Sequence, residues 1–180
     1  MIHPTNHRGF TLVETLVAIT ILVMAVVGPL YAVHRSVIAS YTARDALIAT
    51  ALAQEGVEYI RSVRDTNYLS EQDWLTNLSP CVVNGSEGPS DYGCAVDPNP
   101  TTPVIQACAS QGGGGCAKLK LDGASRYRIG AGTDTSFSRK VTITPVGSGG
   151  TEVELTVTVS WSTLRIPYTV TVREHLYKWQ

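Results

Sequence analysis

The stretch Arg8-Gly9-Phe10-Thr11-Leu12-Val13-Glu14 sets a carboxylate four residues after a glycine–phenylalanine junction, at the head of a long apolar run. An ionised carboxylate at the centre of a membrane helix costs about 2.5–3.5 kcal/mol on insertion scales, and less near the end, where Glu14 lies. Such a group is tolerated where it snorkels to the interface, is protonated, or meets a cation. No cation is at hand within the run, because Thr15 to Val33 holds no charged side chain. Cleavage between Gly9 and Phe10 would supply one. The new α-amino group would stand four residues from Glu14 and could neutralise the carboxylate of its own chain or of a neighbour.

Other reactive residue types are scattered. Cys81, Cys94, Cys108 and Cys116 are separated by 12, 13 and 7 residues and form no C-x-x-C pair, which argues against structural zinc. An even count outside the cytoplasm points to two disulfides, with three pairings open. Neighbouring pairs, Cys81 with Cys94 and Cys108 with Cys116, would staple loops that cannot build a core. His3 and His7 are four apart but have no carboxylate or thiol beside them, and His34 and His175 stand in no motif. Asp91, Asp97 and Asp134 lack the D-x-D-x-D-G spacing of a calcium loop. Gly112 to Gly115 lacks the Gly-Lys-Ser/Thr ending of a phosphate loop and reads as a flexible connection. No catalytic set, cofactor site or metal site emerges.

The 180 residues suit one modest domain with an appendage. A net charge of −1 with 16% charged residues makes no electrostatic case for a nucleic-acid partner. Phe10 to Val33 is 24 residues long, roughly 36 Å as a helix and enough to span a hydrocarbon core. A secretory signal cut near Ala39 is the competing reading, but the apolar run exceeds the usual signal core and only Arg8 precedes it. Arg35 and Arg44 follow the span, so positive charges do not orient it.

The run "RGFTLVETLVAITIL" resembles the N-terminal signal of type IV pilins and type II secretion pseudopilins. The resemblance implies that a prepilin peptidase removes residues 1–9, cutting after Gly9, and N-methylates Phe10. Glu14 would be the assembly glutamate, and the leader with His3, His7 and Arg8 a cytoplasmic recognition tag. It further implies an inner-membrane, single-pass chain with its head outside the cytoplasm, later part of a filament. The partners implied are other pilin subunits, the prepilin peptidase, the inner-membrane assembly platform and, before assembly, the lipid bilayer. The tail with "TVSW" resembles minor pilins and pseudopilins of the modification-protein and type II secretion I types.

Beyond the span, Val37, Tyr41, Ile48, Leu52, Tyr59, Ile60 and Val63 recur at helical steps among charged residues, the pattern of an amphipathic helix. A single helix over residues 10–64 is expected, with residues 10–33 in the membrane. Gly28-Pro29 interrupts its apolar half, and a proline there predicts a kink or melted segment near Ala25 to Pro29. In the family the common proline lies two residues further on, where Tyr31 stands here. Ser70 and Asp73 have capping-box-like spacing and predict a short helix.

Residues 65–180 read as a globular head, with a Cys-rich loop region at 80–116 and a sheet over about 117–176. In "EVELTVTVSW" Val153, Leu155, Val157, Val159 and Trp161 alternate with polar residues, which predicts a half-buried strand. Val141 and Ile143 precede it, and Ile166, Tyr168, Val170 and Val172 follow, making an antiparallel meander. "AKLKL" and "YRI" around Asp122-Gly123 add an edge hairpin. The expected fold is therefore α+β, a long helix whose amphipathic half covers an antiparallel sheet.

Overall fold

The computed structural model describes residues 9, 11–83, 92–99, 101–108 and 115–178. Residues 1–8 of the leader, Phe10, Asp91 and Gly112–Gly114 lie outside the described residues. The chain divides into two compact units, Met1–Ala43 and Arg44–Gln180.

One helix, α1 (Leu12–Leu69), contributes to both units. Within the first unit it is apolar on every side. Its hydroxyls are satisfied locally: Thr15 and Thr20 donate back to the carbonyls of Leu12 and Val17, both at 2.8 Å. Residues Ala25 to Pro29 are helical, so the melted stretch expected at Gly28-Pro29 is not present. Proline removes a single ladder bond, and the turns on either side carry the helix through. Val37 and Tyr41, expected on the packed stripe, are exposed.

In the second unit α1 runs past Arg64 to Leu69 and packs through Ala49, Leu52, Ala53, Gly56, Val57 and Ile60, all buried. Burial of each larger member of this stripe contributes about 1.5–3 kcal/mol. The small ones set the approach distance. A Cβ on Gly56 would lie 3.1 Å from both the Arg139 Cδ and a Val157 methyl. The short helix expected after Ser70 is absent. Asp73 instead accepts the Leu75 N–H in a local turn, and Glu71 and Asn77 take left-handed conformations.

The stripe covers a seven-stranded antiparallel sheet: β1 (Cys94–Asp97), β2 (Val104–Ala107), β3 (Lys118–Leu121), β4 (Tyr127–Arg128), β5 (Thr133–Pro145), β6 (Glu152–Thr163) and β7 (Ile166–Tyr177). Order runs β2-β1-β5-β3-β4, with β6 on β5 and β7 on β6. The meander β5–β6–β7 and the β3–β4 hairpin lie where the alternation places them. In β6, Val153, Leu155, Val157, Val159 and Trp161 are all buried against the helix side. Tyr127, Phe137, Trp161 and Tyr168 form a continuous ring ladder across β4 to β7, with centroids 5.5, 6.1 and 5.6 Å apart. The β6–β7 turn is Leu164-Arg165, with φ of 52° and 68°. Two-residue hairpins of this hand favour Asn-Gly, and a left-handed non-glycine residue costs about 1–3 kcal/mol.

β1 and β2 lie in the region read as loop. Four-residue strands leave no room for alternation, and all four β1 residues are buried. Gly93, φ 74°, begins this element, and a Cβ there would sit 2.4 Å from the Val141 carbonyl oxygen. No larger residue fits.

Candidate functional site

The chemistry-bearing residues at the start of the chain converge on the first turn of α1. Gly9 is exposed, with open space around its Cα. Thr11 precedes the helix and caps it: its Oγ1 accepts the Glu14 N–H at 3.3 Å, and its carbonyl accepts the Thr15 N–H at 3.2 Å. Thr11 and Glu14 thus occupy the first and last positions of a T-x-x-E capping box. The signal for this local role is the three-residue spacing of Thr11 and Glu14 just before the apolar run. Glu14 also places a negative charge in the first helical turn, where the helix dipole favours it. Among the described residues no cation pairs with its carboxylate.

From Leu12 to Val33 every side chain is exposed, Leu12 at 80% and Met24 at 78%. Monomeric soluble proteins rarely expose so large a contiguous apolar surface. The segment is long and apolar enough to cross a membrane. Gly28 and Pro29 lie in its last third, and a Cβ on Gly28 would meet nothing within 4 Å. An exposed glycine, an acidic first turn and an uncovered apolar helix occur in that order.

Residues 4–28 match the family model of the prokaryotic N-terminal methylation motif. The match supports a type IV pilin-like chain processed by prepilin peptidase. Among the described residues, one N-terminal helix is long and apolar enough to cross a membrane, which fits a membrane-anchored pilin. No curated protein and no solved structure gives a significant match to this chain.

The head holds polar groups for structural purposes. Arg139 is fully buried, its guanidinium donating to Glu55 Oε2 (2.6 Å), the Val96 carbonyl (2.7 Å) and the Leu52 carbonyl (2.9 Å). One side chain so ties α1, β1 and β5 together. The signal for it was its phase, since Arg139 shares the inward register of Phe137, Val141 and Ile143. Arg61 binds Glu174 through two nitrogens and also pairs with Glu58. The Glu174 hydrogen bond is the main reason its pKa is raised. Buried Asn67 donates to the Trp74 and Thr76 carbonyls and anchors the loop after α1.

The four cysteines form two bridges, Cys81–Cys94 and Cys108–Cys116. Of the aspartates weighed for calcium, Asp97 is buried and accepts the Ile129 N–H at 3.0 Å, while Asp134 pairs with Lys120. A cleft of about 540 Å³ lies between α1 and β2, lined by Tyr59, Ser62, Val63, Thr66, Pro103 and Ile105. Burial, and then the Asp97 charge, raise the Tyr59 pKa. This lining brings together no nucleophile and base.

Proposed function

We propose that the protein is a structural subunit of a type IV pilus-like filament, and a minor pilin within it. Prepilin peptidase cuts after Gly9 and methylates the new amino terminus on Phe10. The mature chain leaves the bilayer by docking its apolar helix among those of other subunits. Glu14 then accepts the Phe10 amine of a neighbour, neutralising two charges that the filament core removes from water. The observation that carries this reading is the order Gly9, Phe10, Glu14 and uncovered apolar helix, inside the 4–28 match to the methylation motif.

Gly28-Pro29 serves as the place where the docked helix can open, since Pro29 already lacks one ladder bond. Residues 10–33 are the membrane segment before assembly, and residues 65–180 are the head. The two disulfides hold the region least able to build a core. A second reading keeps the same processing but assigns the subunit to a type II secretion pseudopilus, or to a filament tip active in adhesion or DNA uptake. The strand-rich tail resembles minor pilins and pseudopilins alike, and the charge of −1 disfavours DNA. Co-expression with and without a prepilin peptidase, followed by shearing, tests the proposal. The chain should shorten only with the peptidase and appear in the sheared filament fraction. A chain of unchanged length in both cultures would contradict it.

A further inference from the structure

The β6–β7 hairpin departs from what a two-residue turn prefers. Leu164 and Arg165 both hold positive φ where Asn-Gly would be unstrained, and Leu164 and Ile166 are 64% and 55% exposed. Strain of this sort persists where the surroundings or a function require it. The question is what an exposed Leu-Arg-Ile tip meets.

Its place in the head is defined by two contacts. Arg61 of α1 binds Glu174, whose partner across the ladder is Leu155 of β6. Asp45 of α1 accepts the Thr163 hydroxyl at 2.6 Å. Sixteen helical residues rise about 24 Å, and the eight strand residues from Leu155 to Thr163 rise about 26 Å. Helix and strand therefore run side by side, and the turn after Thr163 lies at the end of the head that begins with Arg44. The β3–β4 turn ends there as well. Leu121 pairs with Thr133, five residues before Ser138, which pairs with Ser160.

This end of the head is positively charged although the chain as a whole carries −1. Arg44 and Arg165 stand at this end with Asp45, the neighbouring β3–β4 hairpin carries Arg126 and the mostly buried Arg128, both paired with Asp122, and the Lys120–Asp134 pair is neutral. It is also the end from which the chain returns to the apolar segment. Ten residues lie between Val33 and Arg44, so the tether reaches at most about 40 Å even fully extended. Exposed Leu and Ile flanking an Arg, on a cationic surface held that close to a bilayer, match the chemistry of an anionic lipid interface.

We infer that the Leu164-Arg165-Ile166 tip, with the surrounding arginines, docks the head on anionic lipid headgroups before assembly. The inference rests on residues 10–33 being a membrane anchor. Docking fixes the head against the membrane surface, and entry into a filament exchanges that surface for other subunits. Arginine binds the phosphates, and the two aliphatic side chains enter the headgroup boundary.

The test uses the full chain in vesicles of phosphatidylcholine alone or with phosphatidylglycerol, and measures hydrogen exchange at Leu164 and Arg165. One cation near an anionic surface is worth about fivefold in occupancy, so exchange there should slow by at least about fivefold in the anionic vesicles. The variant L164N/R165G suits the turn's backbone and should fold at least as well, yet lose that slowing. Co-flotation with equal exchange in both vesicles would overturn the docking inference alone. Slowing only in sheared filaments would overturn it in favour of a neighbouring subunit at the tip. Failure to float with either vesicle would overturn the anchor reading and this inference with it.

Discussion

Substitution of Glu14 separates its local role from its role in assembly, because the two differ in size. In the monomer the side chain is exposed in the first turn of α1, where a negative charge is worth about 0.3–1 kcal/mol. The cap itself survives any substitution except proline, since Thr11 Oγ1 accepts the backbone N–H of residue 14. Glu14→Ala should therefore leave cleavage, membrane insertion and the head unchanged, with at most slight fraying at Leu12. In the proposed filament the same carboxylate would be removed from water opposite a Phe10 amine. Breaking a desolvated pair from one side costs about 3–5 kcal/mol, which is from about a hundredfold to a few thousandfold in docking equilibrium. Glu14→Asp should fall between, keeping the charge while shortening its reach. Each variant is expressed beside its partner pilins, and its share of sheared filaments is compared with its share of cleaved chain on the same gel. Full incorporation of Glu14→Ala would refute the pairing and reduce Glu14 to a helix-end residue that snorkels.

The buried Arg139–Glu55 pair should respond asymmetrically. Glu55→Ala takes the carboxylate from a fully buried guanidinium, leaving it only the Leu52 and Val96 carbonyls, and should cost about 3 kcal/mol in urea unfolding of the full chain, whereas Arg139→Met leaves a carboxylate already 44% exposed and should cost less; the reverse order would contradict the contact. Reductant titration followed by peptide mapping should open Cys108–Cys116 before Cys81–Cys94, whose sulfurs sit in the core; replacing Cys81 and Cys94 by Ala should cost about 3 kcal/mol from loop closure alone. The Asp122 carboxylate, bonded to the Arg126 and Ala124 N–H groups and facing Arg126, is held below the usual carboxylate range. Its contribution to the β3–β4 turn is thus present above the unfolded pKa of about 4 and is lost as pH falls through the lower folded value; carbon-detected NMR titration of Asp122 reads this directly, and a midpoint at or above 4 would contradict it.

The long periodic elements and the β3–β4 hairpin were legible in the sequence, whereas β1 and β2 were not. The twelve residues of β6 alternate without a break, so its face, its neighbours and the need for a covering helix all follow from pattern. The packed stripe of α1 is harder, because Ala49, Ala53 and Gly56 lie at its centre. Small residues carry little hydrophobic signal, yet they let the helix approach Arg139 and Val157. Val37 and Tyr41 continue the period but are exposed. β1 and β2 escape because their residues pair across the sheet over distances that no local window reports. The cysteine spacing leaves three pairings for the same reason, since Cys94 and Cys108 are brought to one end of the β1–β2 hairpin by the ladder. At the N-terminus, Glu14 was conspicuous as a charge beside an apolar run. Its link to Thr11 is a backbone contact and lies in the spacing alone.

The central claim is that the mature chain begins at Phe10, and intact-mass and N-terminal fragment analysis of the membrane-bound protein tests it most directly. The predicted result is a chain lacking residues 1–9 and carrying one methyl group on the Phe10 nitrogen. A mature chain that retains Met1, or one that begins near Ser40, would contradict the account.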